Sequence, residues 1–334
     1  MRRHQLIRTT AGLACCLGLL AACGDDGSSS AESTAGTALT VVTSTSQTAD
    51  FVRVIGGTMV SATNVLAAGV DPHDFEPTAA DLNALATAKV VVINGLGLES
   101  WFEDAYSQSG SKATIVTASD GIATMTGTDE HGEEEHAAED EHAAEHDHAA
   151  EDEHDHGGLD PHVWHDPANA KIMVTNIAKA FMAADPANAT TYQANLDAYL
   201  AELTTLDTDI AAQLSKLANR KLVTNHDAFG YFIGRYNLEF VGSVIPGFDT
   251  QAELSVAETN DLIDKIRAEG VKAIFAESSL PPKVAKAIAD EAGVTVVEGD
   301  DALYGDSLGP AGSGADTYLT MMRHNANTIA THLS

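Results

Sequence analysis

The 334-residue chain carries 49 Asp and Glu against 18 Lys and Arg, a formal net charge of −31, with 44% hydrophobic residues and three Cys. That length and apolar content suffice for two lobes of roughly 150 residues each. The charge repels phosphate backbones and anionic headgroups, which excludes nucleic acid and an electrostatically held membrane surface and favours cations as partners. The chain opens on Arg2, Arg3 and Arg8, an apolar run over 11–22, and Leu20-Ala21-Ala22-Cys23. This has the build of a targeting segment, and the run is too short to span a bilayer as a permanent helix.

Leu20-Ala21-Ala22-Cys23 resembles the bacterial lipobox. The resemblance implies that 1–22 is a signal peptide, that Cys23 becomes the lipidated first residue, and that the protein is anchored to the outer face of the cell membrane. Cys15 and Cys16 would leave with the signal, so the mature body holds no free thiol. Disulfides, Cys zinc sites and Cys nucleophiles are thereby excluded, and a metal site has to use His, Asp and Glu. Residues 23–37, rich in Gly, Ser, Asp and Ala, read as a flexible tether.

From residue 38 the pattern alternates. Short β-branched runs at Leu39–Thr43, Val90–Ile93 and 113–116 are separated by helix-length segments, as in βα units on a parallel sheet. Residues 120–158 interrupt that pattern with a charged loop. Within it, 129–156 hold 14 Asp and Glu, seven His and no Lys or Arg, in a six-residue repeat without an apolar stripe. Such a tract is expected to be mobile, and His131, His136, His142, His146, His148, His154 and His156 make it a weak collector of metal.

A helix is then expected at Pro167–Ala184, followed by a stop at Asp185-Pro186. A long helix comes next, in which Tyr192, Leu196, Leu200, Leu203, Leu206, Ile210, Leu214 and Leu217 recur at steps of three and four. At about 32 residues it would reach roughly 48 Å, long enough to bridge two lobes. Strands at 221–224, 238–244, 272–276 and Thr295–Val297 and a last helix from about residue 315 complete the alternation. The expected organisation is an N-terminal α/β lobe over 38–165, a helical linker over 166–218 and a C-terminal α/β lobe over 219–334. Each lobe would be Rossmann-like with a parallel sheet, and ligand would bind in the cleft beyond the strand ends.

Outside the tract, a few His sit beside Pro, Asp or small residues. His73 lies in Asp71-Pro72-His73 and His162 in Asp160-Pro161-His162. The repeated Pro fixes φ and forbids helix, so each imidazole is held on a stiff loop. His165, three residues on, is either a spare ligand or a polar helix-opening residue, with the second reading favoured. His226 follows the strand at 221–224, where α/β folds collect functional groups. Asp306, in a Gly-rich loop after the last strand, is the best-placed carboxylate, and Glu277 competes with it as a ligand or as a partner behind the ligands. Four N and O donors suit tetrahedral Zn²⁺. No His-Glu-x-x-His, Gly-x-Ser-x-Gly or Walker pattern is present, and His142-Ala143-Ala144-Glu145-His146 matches an inverted zinc-protease pattern only inside the repeat.

Taken with Asn94-Gly95-Leu96-Gly97-Leu98-Glu99, His226-Asp227-Ala228-Phe229, Phe275-Ala276-Glu277 and Asp306-Ser307-Leu308-Gly309, these motifs resemble the zinc- and manganese-binding lipoproteins of bacterial ABC importers, the ZnuA type. The resemblance implies two lobes bridged by a long rigid helix, with a metal in the cleft held by His73, His162, His226 and Asp306, or by the three His and a water. It also implies a monomer that delivers Zn²⁺, rather than Mn²⁺, to an ABC permease and its ATPase without catalysing a reaction. The remaining readings are a manganese-binding member of the class, a metal-dependent adhesin or scaffold lipoprotein and, last, an extracellular zinc hydrolase.

Overall fold

The computed structural model describes residues 38–126 and 158–334. The expected signal, tether and Cys23, and all seven His of the charged tract, lie outside the described residues.

The first lobe alternates strand and helix: β1 Leu39–Thr43, α1 Ser46–Gly56, β2 Val60–Asn64, α2 Ala79–Thr87, β3 Val90–Ile93, α3 Phe102–Ser109 and β4 Thr114–Thr117. Helices α1 and α2 begin where the sequence supplies caps. Thr45 and Thr78 each accept the backbone N–H three residues on, from Thr48 and Asp81, whose side chains reach back to the cap. The strands pair in parallel in the order β2-β1-β3-β4.

Two helices follow, α4 Pro167–Ala184 and α5 Ala189–Leu214. The second lobe then repeats the plan with β5 Lys221–His226, α6 Gly230–Tyr236, β6 Glu239–Ile245, α7 Val256–Glu269, β7 Ala273–Phe275, α8 Lys283–Ala292 and β8 Thr295–Val297. Its parallel order is β6-β5-β7-β8, the same arrangement as the first sheet. Helix α9, Tyr318–Leu333, closes the chain.

Four elements differ from the sequence reading. Strand β2 was not expected: it is an edge strand of Val, Ser, Ala, Thr and Asn with mostly exposed residues, so no apolar signal marks it. Strand β4 starts one residue later than expected, at Thr114. Strand β5 runs on to His226, which is therefore its last residue rather than a residue after it. Helix α5 has 26 residues, about 39 Å at 1.5 Å per residue, because the chain leaves the helix after Leu214 while Leu217 still packs into the core.

One continuous apolar core runs through both lobes, taking Phe51 from α1, Val174 from α4, Leu206 from α5, Phe232 from α6 and Ile329 from α9. Helix α5 is its spine. Asn195 near the start of α5 donates to the Ile55 carbonyl of α1, 2.9 Å away, and Gln213 near its end donates to Asn327 of α9, 2.8 Å away. Separate, smaller cores lie under α2 and α3 and under α7 and α8. Leu206 is fully buried at the middle of the spine, so Leu206→Ala is expected to cost about 2–5 kcal/mol of stability, read as a lowered denaturant midpoint.

Candidate metal centre

In a parallel sheet of order 2-1-3-4, the helices after the first and third strands leave on opposite faces, and a crevice opens beyond their C-terminal ends. In the second sheet those strands are β5 and β7. They end on His226 and, two residues beyond Phe275, on Glu277. In the first sheet they are β1 and β3. There Ser44 and the backbone N–H groups of Asn94 and Gly95 donate to the buried Glu99 carboxylate. Asn94 Nδ2 in turn donates to the Pro161 carbonyl at 2.9 Å, fixing the loop that carries His162.

Both Asp-Pro-His segments form the same turn. The Asp carboxylate accepts the His backbone N–H two residues on, at 2.8 Å for Asp71 and His73 and 2.9 Å for Asp160 and His162. The intervening Pro has no N–H to compete. This is the local reason the motif recurs.

The structure brings His73, His162, His226 and Asp306 together, with one potential ligand atom from each lying within 4.8 Å of all the others. His162 Nε2 lies 3.3 Å from His73 Nε2, 3.4 Å from His226 Nε2 and 3.2 Å from Asp306 Oδ1. Asp306 Oδ2 is 3.8 Å from His73 Nε2 and 3.5 Å from His226 Nε2. A tetrahedron with bonds of about 2.0–2.1 Å has edges of about 3.3–3.4 Å. The three separations from His162 Nε2 are close to those edges, and the two from the other Asp306 oxygen are longer.

The imidazoles are oriented from behind. Asp160 Oδ1 lies 2.8 Å from His162 Nδ1 and Glu277 Oε1 lies 2.6 Å from His226 Nδ1. An Nδ1–H donated to each carboxylate leaves Nε2 to ligate. Of the two positions the sequence offers Glu277, ligand or partner behind the ligands, it takes the second, behind His226; Asp160 has no role in the sequence reading, though the Asp two residues before each His was the available signal. Gly305 is required here, because a Cβ at that position would run into the Glu277 carboxylate. Glu277→Ala is expected to weaken metal binding about 10- to 100-fold with the four ligands intact, measured by calorimetric titration.

Charge is concentrated in this crevice. Asp306 is 2% exposed, and neither of its oxygens has a well-aligned hydrogen-bond donor among the described residues. A carboxylate buried this way is unfavourable without a cation. Burial alone would raise its pKa, but His226, His162 and His73 hold it well below the usual carboxylate range. Burial disfavours the imidazolium of His162, yet Asp160 and Asp306 reverse this and raise it to about 10. His226 is likewise raised to about 9 by Glu277 and Asp306 against burial. His73, for which burial outweighs the Asp306 charge, is lowered.

His165 does not join the four, and it is not a polar residue opening α4. It is fully buried in the turn Val163–His165, and its ring stacks on Phe229 with centroids 4.5 Å apart. Neither ring nitrogen has a well-aligned hydrogen-bond partner among the described residues, and burial pushes its pKa down to about 3. Asp166 instead caps α4, accepting Ala168 N–H at 2.7 Å. An opening of about 200 Å³ bounded by His73, Leu96, Pro161, Gly247 and Phe248 gives access beside His73.

The sequence profile described as Zinc-uptake complex component A periplasmic matches residues 41–332. The chain belongs to this family. It is thus an extracytoplasmic, metal-binding, substrate-binding component of an ABC importer, working with a permease and an ATPase and not as an enzyme. Among curated relatives it is similar to the manganese-binding lipoprotein MntA of Bacillus subtilis, 32% identical over 93% of this chain and 94% of that one. It is also similar to the iron ABC transporter substrate-binding lipoprotein MtsA of Streptococcus pyogenes, 28% identical over 95% and 94%. Among solved structures, the periplasmic zinc-binding protein TroA of Treponema pallidum superposes with a TM-score of 0.75 at 28% identity, covering 89% of this chain and 99% of that one. Among the described residues no helix is long and apolar enough to cross a membrane.

Proposed function

We propose that this chain captures Zn²⁺ outside the cell with His73, His162, His226 and Asp306 and hands it to the permease. The observation that carries this reading is the donor set: three imidazole nitrogens and one carboxylate whose ligand atoms all lie within 4.8 Å of one another. Imidazole suits zinc, whereas manganese favours carboxylate and water oxygens in an octahedral shell. The carboxylates nearest the site, Asp160 and Glu277, are engaged behind the imidazoles and do not supply such a shell. Relatives are named for manganese and iron, so the choice of metal in this chain rests on its own donors.

In this reading Cys23 carries the lipid anchor, the chain acts as a monomer, and the lobes divide at 38–165 and 219–334 around the linker 166–218. The seven His of 129–156 collect metal weakly and raise its concentration near the cleft. The deciding experiment is elemental analysis of protein purified without chelator, followed by competition between Zn²⁺ and Mn²⁺. One tightly held zinc that a large excess of manganese fails to displace is expected; equal or preferential retention of manganese would overturn the assignment.

A further inference from the structure

The four ligands come from opposite lobes, His73 and His162 from the first and His226 and Asp306 from the second, so metal leaves only when the lobes part. Several hydroxyl groups bridge the lobes around the site, among them those of Thr250, Tyr231 and Ser307, whose bridges each end one or two residues from a ligand. Thr250, in the loop between β6 and α7, donates to Asp71 Oδ2 at 2.6 Å, while Asp71 Oδ1 holds the His73 backbone. Tyr231 of α6 donates to the Asp160 carbonyl and accepts from Met125 N–H, both at 3.1 Å. Ser307, next to Asp306, accepts the Gly69 N–H at 2.6 Å and lies 3.3 Å from Ser46 at the start of α1.

The geometry points to Thr250, Tyr231 and Ser307 as an interlobe clasp that positions the ligands in their closed arrangement and sets the rate at which metal is released. This deepens the zinc-capture reading and rests on it. The bridging groups are neutral hydroxyls, so their strength depends neither on the cation nor on neutral-range pH. Thr250 and Tyr231 attach through Asp71 and Asp160, the two residues whose carboxylates already fix the His73 and His162 turns. Parting the lobes therefore breaks the clasp and loosens the ligand loops in one movement. Association starts from the parted lobes, in which these bonds are not yet made, so its rate does not depend on them.

A net hydrogen bond of ordinary strength corresponds to roughly three- to tenfold in a rate that requires breaking it. The bridges are separate points on the lobe boundary, so their effects should multiply. The test is stopped-flow release of Zn²⁺ from the full chain into excess chelator, alongside association rates and metal-free melting temperatures. Thr250→Val and Tyr231→Phe are each expected to speed release about three- to tenfold, and together about 10- to 100-fold, with association unchanged. Thr250→Ser should restore the slow rate. Tight zinc binding with release unchanged in Thr250→Val would overturn the clasp, even if Tyr231→Phe or the double variant failed to fold. A lower melting temperature without faster release would do the same, since that is what packing alone predicts. If the unaltered chain holds no zinc tightly, it is the zinc-capture reading that fails.

Discussion

His162→Ala is expected to weaken zinc binding by about 100- to 1,000-fold, the largest single-residue effect in the molecule. Zinc held by four protein donors contributes about 10–16 kcal/mol, so one donor accounts for roughly 2.5–4 kcal/mol, or two to three powers of ten. His162 is the ligand to choose because its Nε2 faces His73, His226 and Asp306 together. Its removal also strands Asp160, which loses the imidazole it orients. Isothermal titration with a competing chelator measures the effect. His165→Ala is the contrasting variant: it removes a buried ring stacked on Phe229, so the melting temperature should fall while zinc affinity holds. Retained tight binding in His162→Ala would remove His162 from the ligand set.

The second large effect is on pH. The sequence alone placed the loss of metal near pH 6.5, the ordinary histidine value. The folded site moves that window upward. His162 is raised to about 10 and His226 to about 9, so the metal-free protein is expected to hold a second proton on each ring at neutral pH. Zinc has to displace those two protons. Its apparent affinity should therefore rise about 100-fold per pH unit below about 9, and level off above about 10.

Stability of the metal-free protein runs the other way. Both folded pKa values lie above the unfolded value of 6.5, so the stabilising contribution is fully present below pH 6.5 and is lost as pH rises through about 9 to 10. Metal-free melting temperature should fall across that window as the increment produced by zinc grows. Melting curves at pH 6, 8 and 10, with and without zinc, check both signs. A zinc increment that did not change with pH would mean that His162 and His226 hold no displaceable protons.

Much of the architecture was legible because it is written in short-range pattern. The apolar positions of α5 recur at helical steps, Pro167 opens α4 at the residue expected, and β1, β3 and β8 are short β-branched runs with those bounds. Strand β2 escaped because an exposed edge strand needs no apolar alternation, only a neighbour to pair with. The end of α5 escaped because Leu217 keeps the apolar spacing after the backbone has stopped being helical.

At the site, sequence by itself determined the chemistry on offer: no thiol outside the leader and its Cys23, few histidines outside the tract, and two identical Asp-Pro-His turns whose Pro and Asp set the loop locally. It could not determine which atoms meet. His165 remained open as a spare ligand and Glu277 as a rival to Asp306, and only packing put one against Phe229 and the other behind His226. The clasp hydroxyls carried no motif, since Thr250 and Asp71 are 179 positions apart and Ser307 and Gly69 are 238. Metal geometry, shifted proton affinities and interlobe bonds all depend on distances of a few ångströms between residues remote in sequence. Those distances are set by the apolar core shared by the two lobes, and only the tertiary structure decides them.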